Sequence, residues 1–419
     1  MKLPALLLLT AAALCAANEQ QQALLLKAQS DYDRVAAAAA PTVREASACI
    51  QSQAALEPVA PAEELALVRF RKGYCTLAAA ATTGEASDFR DAAADFEGAA
   101  AVWPARAAAM MRRKQPLEPI PSILRVLAQI SRLNAEVAQT HGLHASEDTE
   151  TALSTALNGD SASFLPPATA HLIVSLGRTW QAYLAFVRGD LAAAARDLPG
   201  DAPAWSAWVA GRQAFAAGRY AEAASNYQHA VADWDAAARR DPRPLFERLA
   251  PPADPGQAYA DLGGAQLLAG DPEAAIASLN QAVKRSPTAA RALFLRARAE
   301  EAAGRRDAAL ADYNLASRTA FANAKDLASG EAHLYRGILL YRRHDYAHAE
   351  DEFSSALNFE IAADLRSDAV AWRRLAAVAS GSCETAPGYL QQALPTVSPY
   401  FPQQEARAAL AACGALTAR

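Results

Sequence analysis

Five cysteines, Cys15, Cys49, Cys75, Cys383 and Cys413, are the most reactive side chains in this sequence. Cys15 sits in an apolar N-terminal run, and the other four form an even set that an oxidising compartment joins in pairs. His344 and His348 stand four apart with Asp345 and Glu350 nearby, a spacing that on one helix offers a metal two ligands. His141 and His144 have no cysteine or carboxylate at zinc spacing. Arg112, Arg113 and Lys114 form one basic cluster, read as a solvated helix end in preference to a phosphate site. HExxH, GxSxG, P-loop and dinucleotide fingerprints do not occur. These residue types point to cross-linking and surface recognition, with no catalytic residue, metal or cofactor expected. A triad assembled in space remains the alternative, as an enzyme or small-ligand site in residues 105–200.

The elements that position these groups are helical. Hydrophobic residues make up 52% of the 419, much of that alanine, while glycine (20) and aromatics (7%) are modest. Strong helix formers therefore dominate and the expected class is all-α. A net charge of −5 gives no global pull toward nucleic acid or an anionic bilayer. Lys2, the apolar run Leu6 to Leu14 and Cys15-Ala16-Ala17 before Asn18 read as a cleaved export signal over residues 1–17. The expected location is periplasmic or extracellular. The alternative is a lipoprotein, with Cys15 lipidated and the membrane reached only through it, although Leu14 stands where a lipobox requires a small residue. No other stretch of 18 apolar residues is present to anchor the chain.

Four segments align without gaps, beginning at Ala204, Gly256, Ala290 and Gly330, and the second leads the third by 34 residues. Their eighth position is Gly211, Gly263, Ala297 and Gly337, where two helices must approach closely. Alanine recurs at the twentieth (Ala223, Ala275, Ala309, Ala349) and twenty-seventh (Ala230, Ala282, Ala316, Ala356). The twenty-fourth carries Tyr227, Leu279, Tyr313 and Phe353, read as filling space between one hairpin and the next. Gly218, Gly270 and Gly304 occupy the fifteenth position, a tight turn needing positive φ; His344 departs from this. At that turn the His344 ring does not share a face with His348, which favours surface histidines over a metal site.

This pattern resembles the tetratricopeptide-repeat (TPR) family, clearly over residues 201–363. The resemblance implies an α-α superhelix of antiparallel helix hairpins that binds proteins or peptides on its concave face. Pro287 ends the second unit, a Pro-rich stretch from Asp241 to Pro255 separates the first two, and a lengthened helix around Asn323 to Leu327 separates the last two. In residues 18–104, Ala92, Phe96, Ala99 and Pro104 match the second helix of a repeat, after a longer helix from Glu63 to Ala81. Residues 105–200 read as degenerate repeats or an insertion, with an amphipathic segment at Ile123 to Val137 and a turn at Gly189. Residues 364–419 read as a helical cap.

In a linear array each unit touches only its neighbours, which leaves Cys49–Cys75 and Cys383–Cys413 as pairings. A bend near Ser398 places the second pair level across a hairpin. For the first pair a bend near Val59 leaves an axial offset of up to ~8 Å, and buried free thiols are the alternative. The family's concave positions fall on Trp205, Trp208, Arg212 and Phe215, then Leu267 and Leu268, then Arg291, Phe294 and Arg298, then Leu334, Ile338, Tyr341 and Arg342. Such aromatic and arginine groups dominate interface energies, though packing between hairpins is the competing role, above all for Trp205 and Leu267. The first helices contain neither Lys nor Asn, so a chaperone-type carboxylate clamp is disfavoured. The expected partner is a protein or peptide with apolar anchors and acidic groups, bound by an exported scaffold. A lipid-anchored part of an outer-membrane assembly complex is the alternative.

Overall fold

The computed structural model describes residues 19–113, 122–140, 147–159, 165, 167–240, 243–322, 329–399 and 401–417. The export segment with Cys15, Lys114, His141, His144 and the extension at 323–327 lie outside them. Among the described residues every regular element is helical, as expected from the composition.

The chain forms two compact units, one of residues up to 210 with 232–253, the other of residues 211–231 with 254 onward. The first contains α1 (Glu19–Ala37), α2 (Val43–Leu56), α3 (Leu65–Thr83), α4 (Ala86–Arg112), α5 (Ser122–Thr140), α6 (Glu147–Leu157), α7 (Pro167–Val187) and α8 (Leu191–Asp197). Helices α9 (Pro203–Ala216) and α10 (Tyr220–Ala238) contribute residues to both units, and α11 (Leu245–Arg248) belongs to the first.

Hairpin α3/α4 repeats the small-against-large rule: a Cβ at Gly73 would lie 3.1 Å from the Phe96 ring. Gly73 precedes its turn glycine, Gly84, by 11 residues, against 7 from Gly211 to Gly218. Phe96 follows that turn by 12 residues, against 9 from Gly218 to Tyr227. The extra four and three residues add one turn to each helix, so the packing faces keep their phase. This lengthening keeps Gly73 out of a fixed-period alignment, although the second helix of the hairpin is legible from Ala92, Phe96 and Ala99. Pro104, matched to that second helix, lies inside α4, which runs on to Arg112.

The Pro-rich stretch before Pro255 is more than a spacer. Leu245 and Leu249 are buried in the first unit's core, and the Leu249 carbonyl accepts from Trp180 Nε1 (2.8 Å) and Asn134 Nδ2 (3.2 Å). One returning loop thus takes a donor from α7 and another from α5, the latter also bonded to the Ile130 carbonyl.

In the second unit, α12 (Pro255–Leu268) pairs with α13 (Pro272–Arg285), α14 (Ala290–Ala302) with α15 (Arg306–Ala322), and α16 (Ser329–Arg342) with α17 (Tyr346–Asn358). Asp254-Pro255 and Asp271-Pro272 start the first pair: each aspartate accepts a backbone N–H and each proline occupies a first-turn site where no N–H is needed. Gly218, Gly270 and Gly304 turn at φ 72°, 88° and 79°, and His344 takes the same left-handed conformation at 64°. The large residue at the twenty-fourth position sits first on the eighth of its own hairpin. An added Cβ at Gly263 would lie 2.4 Å from Leu279, and one at Gly337 2.7 Å from Phe353. Phe353 then stacks on Trp372, and Tyr313 on Tyr335, giving the contact with the following helix as well. The array is closed by α18 (Ala363–Ala379), α19 (Ala386–Ala393) and α20 (Gln403–Thr417).

Candidate partner-binding surface

The first helices of the second unit and α18 enclose a cleft of about 760 Å³. Its floor is apolar: Leu334 and Trp372 are buried, Ile338 is half-buried, and Leu268 at the end of α12 is 52% exposed. Arg298, Arg306 and Arg342 stand around it with Glu301 and Asp368. Arg342 donates to Glu301 at 2.6 Å, and the same carboxylate accepts from Tyr313 Oη at 2.9 Å. Asp368 accepts from the Ser398 backbone N–H (2.7 Å) and hydroxyl (2.5 Å), which pins the bend after α19 against α18. Arg298 lies over the Tyr335 ring at 4.2 Å.

Of the residues expected on a concave face, Arg298, Leu334, Ile338 and Arg342 meet in this cleft, as does Leu268. The others are placed elsewhere. Trp205 and Trp208 are 6% and 3% exposed in the first unit, inside an aromatic cluster with Tyr183, Phe186 and Trp234 whose centroids lie 4.5 to 6.2 Å apart. Burying two indoles removes more apolar surface from water than a solvated groove offers, so the packing role prevails for both. Arg212 and Arg291 converge on Asp261, which is 2% exposed, at 3.4 and 2.9 Å. That buried carboxylate occupies both guanidinium groups, as a buried charge requires. Phe215 packs edge-on against Tyr220, and Phe294 against Tyr313 and Tyr335. Tyr341 is 6% exposed and donates to Glu405 at 3.0 Å; burial first, and then the Glu405 carboxylate, push its hydroxyl pKa up.

Sequence reasoning missed Tyr335, Arg306 and the α18 contribution of Leu365, Asp368 and Trp372. Trp372 lies in a segment already read as helical, so its type was a usable signal; its facing was not.

Both cysteine pairs are disulfides, with Cα atoms 6.1 Å apart for Cys49–Cys75 and 5.3 Å for Cys383–Cys413. His348 pairs with Asp345 at 2.8 Å and His344 with the Tyr346 hydroxyl at 2.7 Å, two separate contacts. Among the described residues no three His, Cys, Asp or Glu side chains gather to hold a metal, and no helix is long and apolar enough to cross a membrane.

No family model matches the sequence, and no curated protein matches it. Solved structures similar to it include MamA, at 18% identity over 44% of this chain and 93% of that one, with a TM-score of 0.35. A thermophilic TPR protein from Thermus thermophilus is 18% identical over 50% of this chain and 98% of its own, at a TM-score of 0.32. Yeast Tom70 is 13% identical over 94% and 89%, at 0.38.

Proposed function

We propose that this chain is a non-catalytic scaffold that works outside the cytoplasm and holds a protein or peptide partner on the second unit. The observation that carries the reading is the cleft lined by α12, α14, α16 and α18, an apolar floor edged by arginines, of which Arg298 and Arg342 stand at the positions where TPR-type hairpins turn their first helices inward. Such a surface offers anchoring pockets and orienting charges to a partner's side chains. Export is supported by the apolar N-terminal run and by two disulfides, bonds that persist in oxidising compartments.

A photo-crosslinking side chain in place of Ile338, in the full chain expressed with its signal in the native host, is expected to capture a partner. The same group at Leu315, which is 46% exposed and outside the cleft, is not. Equal capture at both positions, or none at Ile338, overturns the cleft as the holding surface. Mass spectrometry of the mature N-terminus, expected at Asn18, separates export from lipidation at Cys15.

A further inference from the structure

We propose that the cleft takes a peptide segment of another protein in which a carboxylate side chain stands beside a large apolar one. The carboxylate pairs with Arg298 and the apolar group sits against Ile338 and Leu268. The inference rests on the scaffold reading and gives its partner a chemistry.

It follows from sorting the charges around the cleft by what already holds them. Both acids are occupied: Glu301 by Arg342 and Tyr313, Asp368 by the backbone N–H and hydroxyl of Ser398. Two cations are not. Arg298 and Arg306 have no carboxylate within ion-pair distance among the described residues, and the Arg298 guanidinium lies over the face of Tyr335. Among the described residues, three arginines against two acids therefore leave the cleft one net positive charge beside apolar surface. Arg298 is also half-buried, where a charge gains more from an anion than it would in bulk water. Its position over the Tyr335 ring leaves guanidinium N–H groups to donate to a carboxylate.

Leu268, 52% exposed and lining the same cleft as Arg298, supplies the second half of the recognition. A solvated leucine is ordinary by itself; sharing the lining of a 760 Å³ cleft with Ile338, it is surface that an apolar side chain covers. A lysine-rich segment is excluded by repulsion, and a purely apolar one leaves Arg298 desolvated without a partner.

The test is selection of a random nine-residue display library on the disulfide-intact full chain, read by sequencing. Binders enriched in Asp or Glu next to Leu, Ile, Phe or Trp are expected. A synthetic peptide of the enriched sequence should bind at least tenfold more weakly after Arg298→Gln, or when its acid is replaced by the amide, and Ile338→Arg should abolish binding. Circular dichroism and melting of each variant confirm that the fold is kept. Enriched peptides without an acidic residue, or equal affinity for wild type and Arg298→Gln, overturn the proposed chemistry and leave the scaffold reading standing. Enrichment of nothing, together with no crosslink at Ile338, overturns both.

Discussion

At the scale of the residue, the hairpins are held at contacts where glycine meets a large side chain. Gly263 shows the balance of effects. Alanine there gains about 1 kcal/mol of helix propensity, but its Cβ would stand 2.4 Å from Leu279 Cγ and 3.0 Å from both methyls, an overlap costing roughly 1–3 kcal/mol. Overpacking wins over most of that range, so Gly263→Ala is expected to lower stability by up to about 2 kcal/mol in urea denaturation; a neutral result would show that Leu279 has room to move. Buried tyrosines give a pH signature. Burial pushes Tyr32 up to about 12, against the Arg71 charge that pulls it down, and Tyr74 and Tyr313 are raised mainly by burial too. A folded pKa above the unfolded value of about 10 favours the native state fully below pH ~10. That stabilisation is lost as pH rises from there through the folded value. Tyrosinate absorbance should therefore rise in two phases: exposed tyrosines near pH 10, then buried ones together with loss of helix. A single phase near pH 10 with the helices intact contradicts this.

At the scale of the element, short pieces decide as much as long ones. The four residues of α11 and the leucine after them bring Leu245 and Leu249 into the first unit's core and present one carbonyl to Trp180 and Asn134. Leu249 is 0% exposed, so Leu249→Ala is expected to cost about 2–4 kcal/mol, a core-sized loss from a segment that reads as a linker. Urea unfolding measures it, and a change under about 0.5 kcal/mol would mean the loop is not structural. The one-turn lengthening of α3 and α4 is the same lesson in reverse: residues are added, yet Gly73 still meets Phe96 because the addition is a whole turn.

At the scale of the whole molecule, each compact unit has its own core and its own disulfide, Cys49–Cys75 in the first and Cys383–Cys413 in the second. Closing loops of 26 and 30 residues, each bond stabilises its unit by about 3 kcal/mol in the chain-entropy model. Repeat arrays unfold by neighbouring units, so calorimetry should show more than one transition. Cys49→Ser with Cys75→Ser is expected to lower one of them, and Cys383→Ser with Cys413→Ser another. A single transition lowered equally by both double variants would show one cooperative molecule instead.

The sequence alone determined the helical class, the turn positions and the glycine and alanine contacts, because these depend on local propensity and on steric limits that recur at a fixed period. It also limited the cysteine pairings, since neighbours in an array are neighbours in the chain. It did not show that Gly73 meets Phe96 in α3/α4, where two inserted turns break the period, or the docking of α11, whose partners lie far away in sequence. Only the tertiary structure decided which expected surface residues face outward. Trp205 and Arg298 both fall on the family's concave positions, yet one is enclosed by four other aromatic rings and the other is half-buried over Tyr335. Likewise Arg212, Arg291 and Arg298 look alike as residues. Whether an arginine is available to a partner depends on where the acids of other helices come to rest, and Asp261 reaches the first two and not the third.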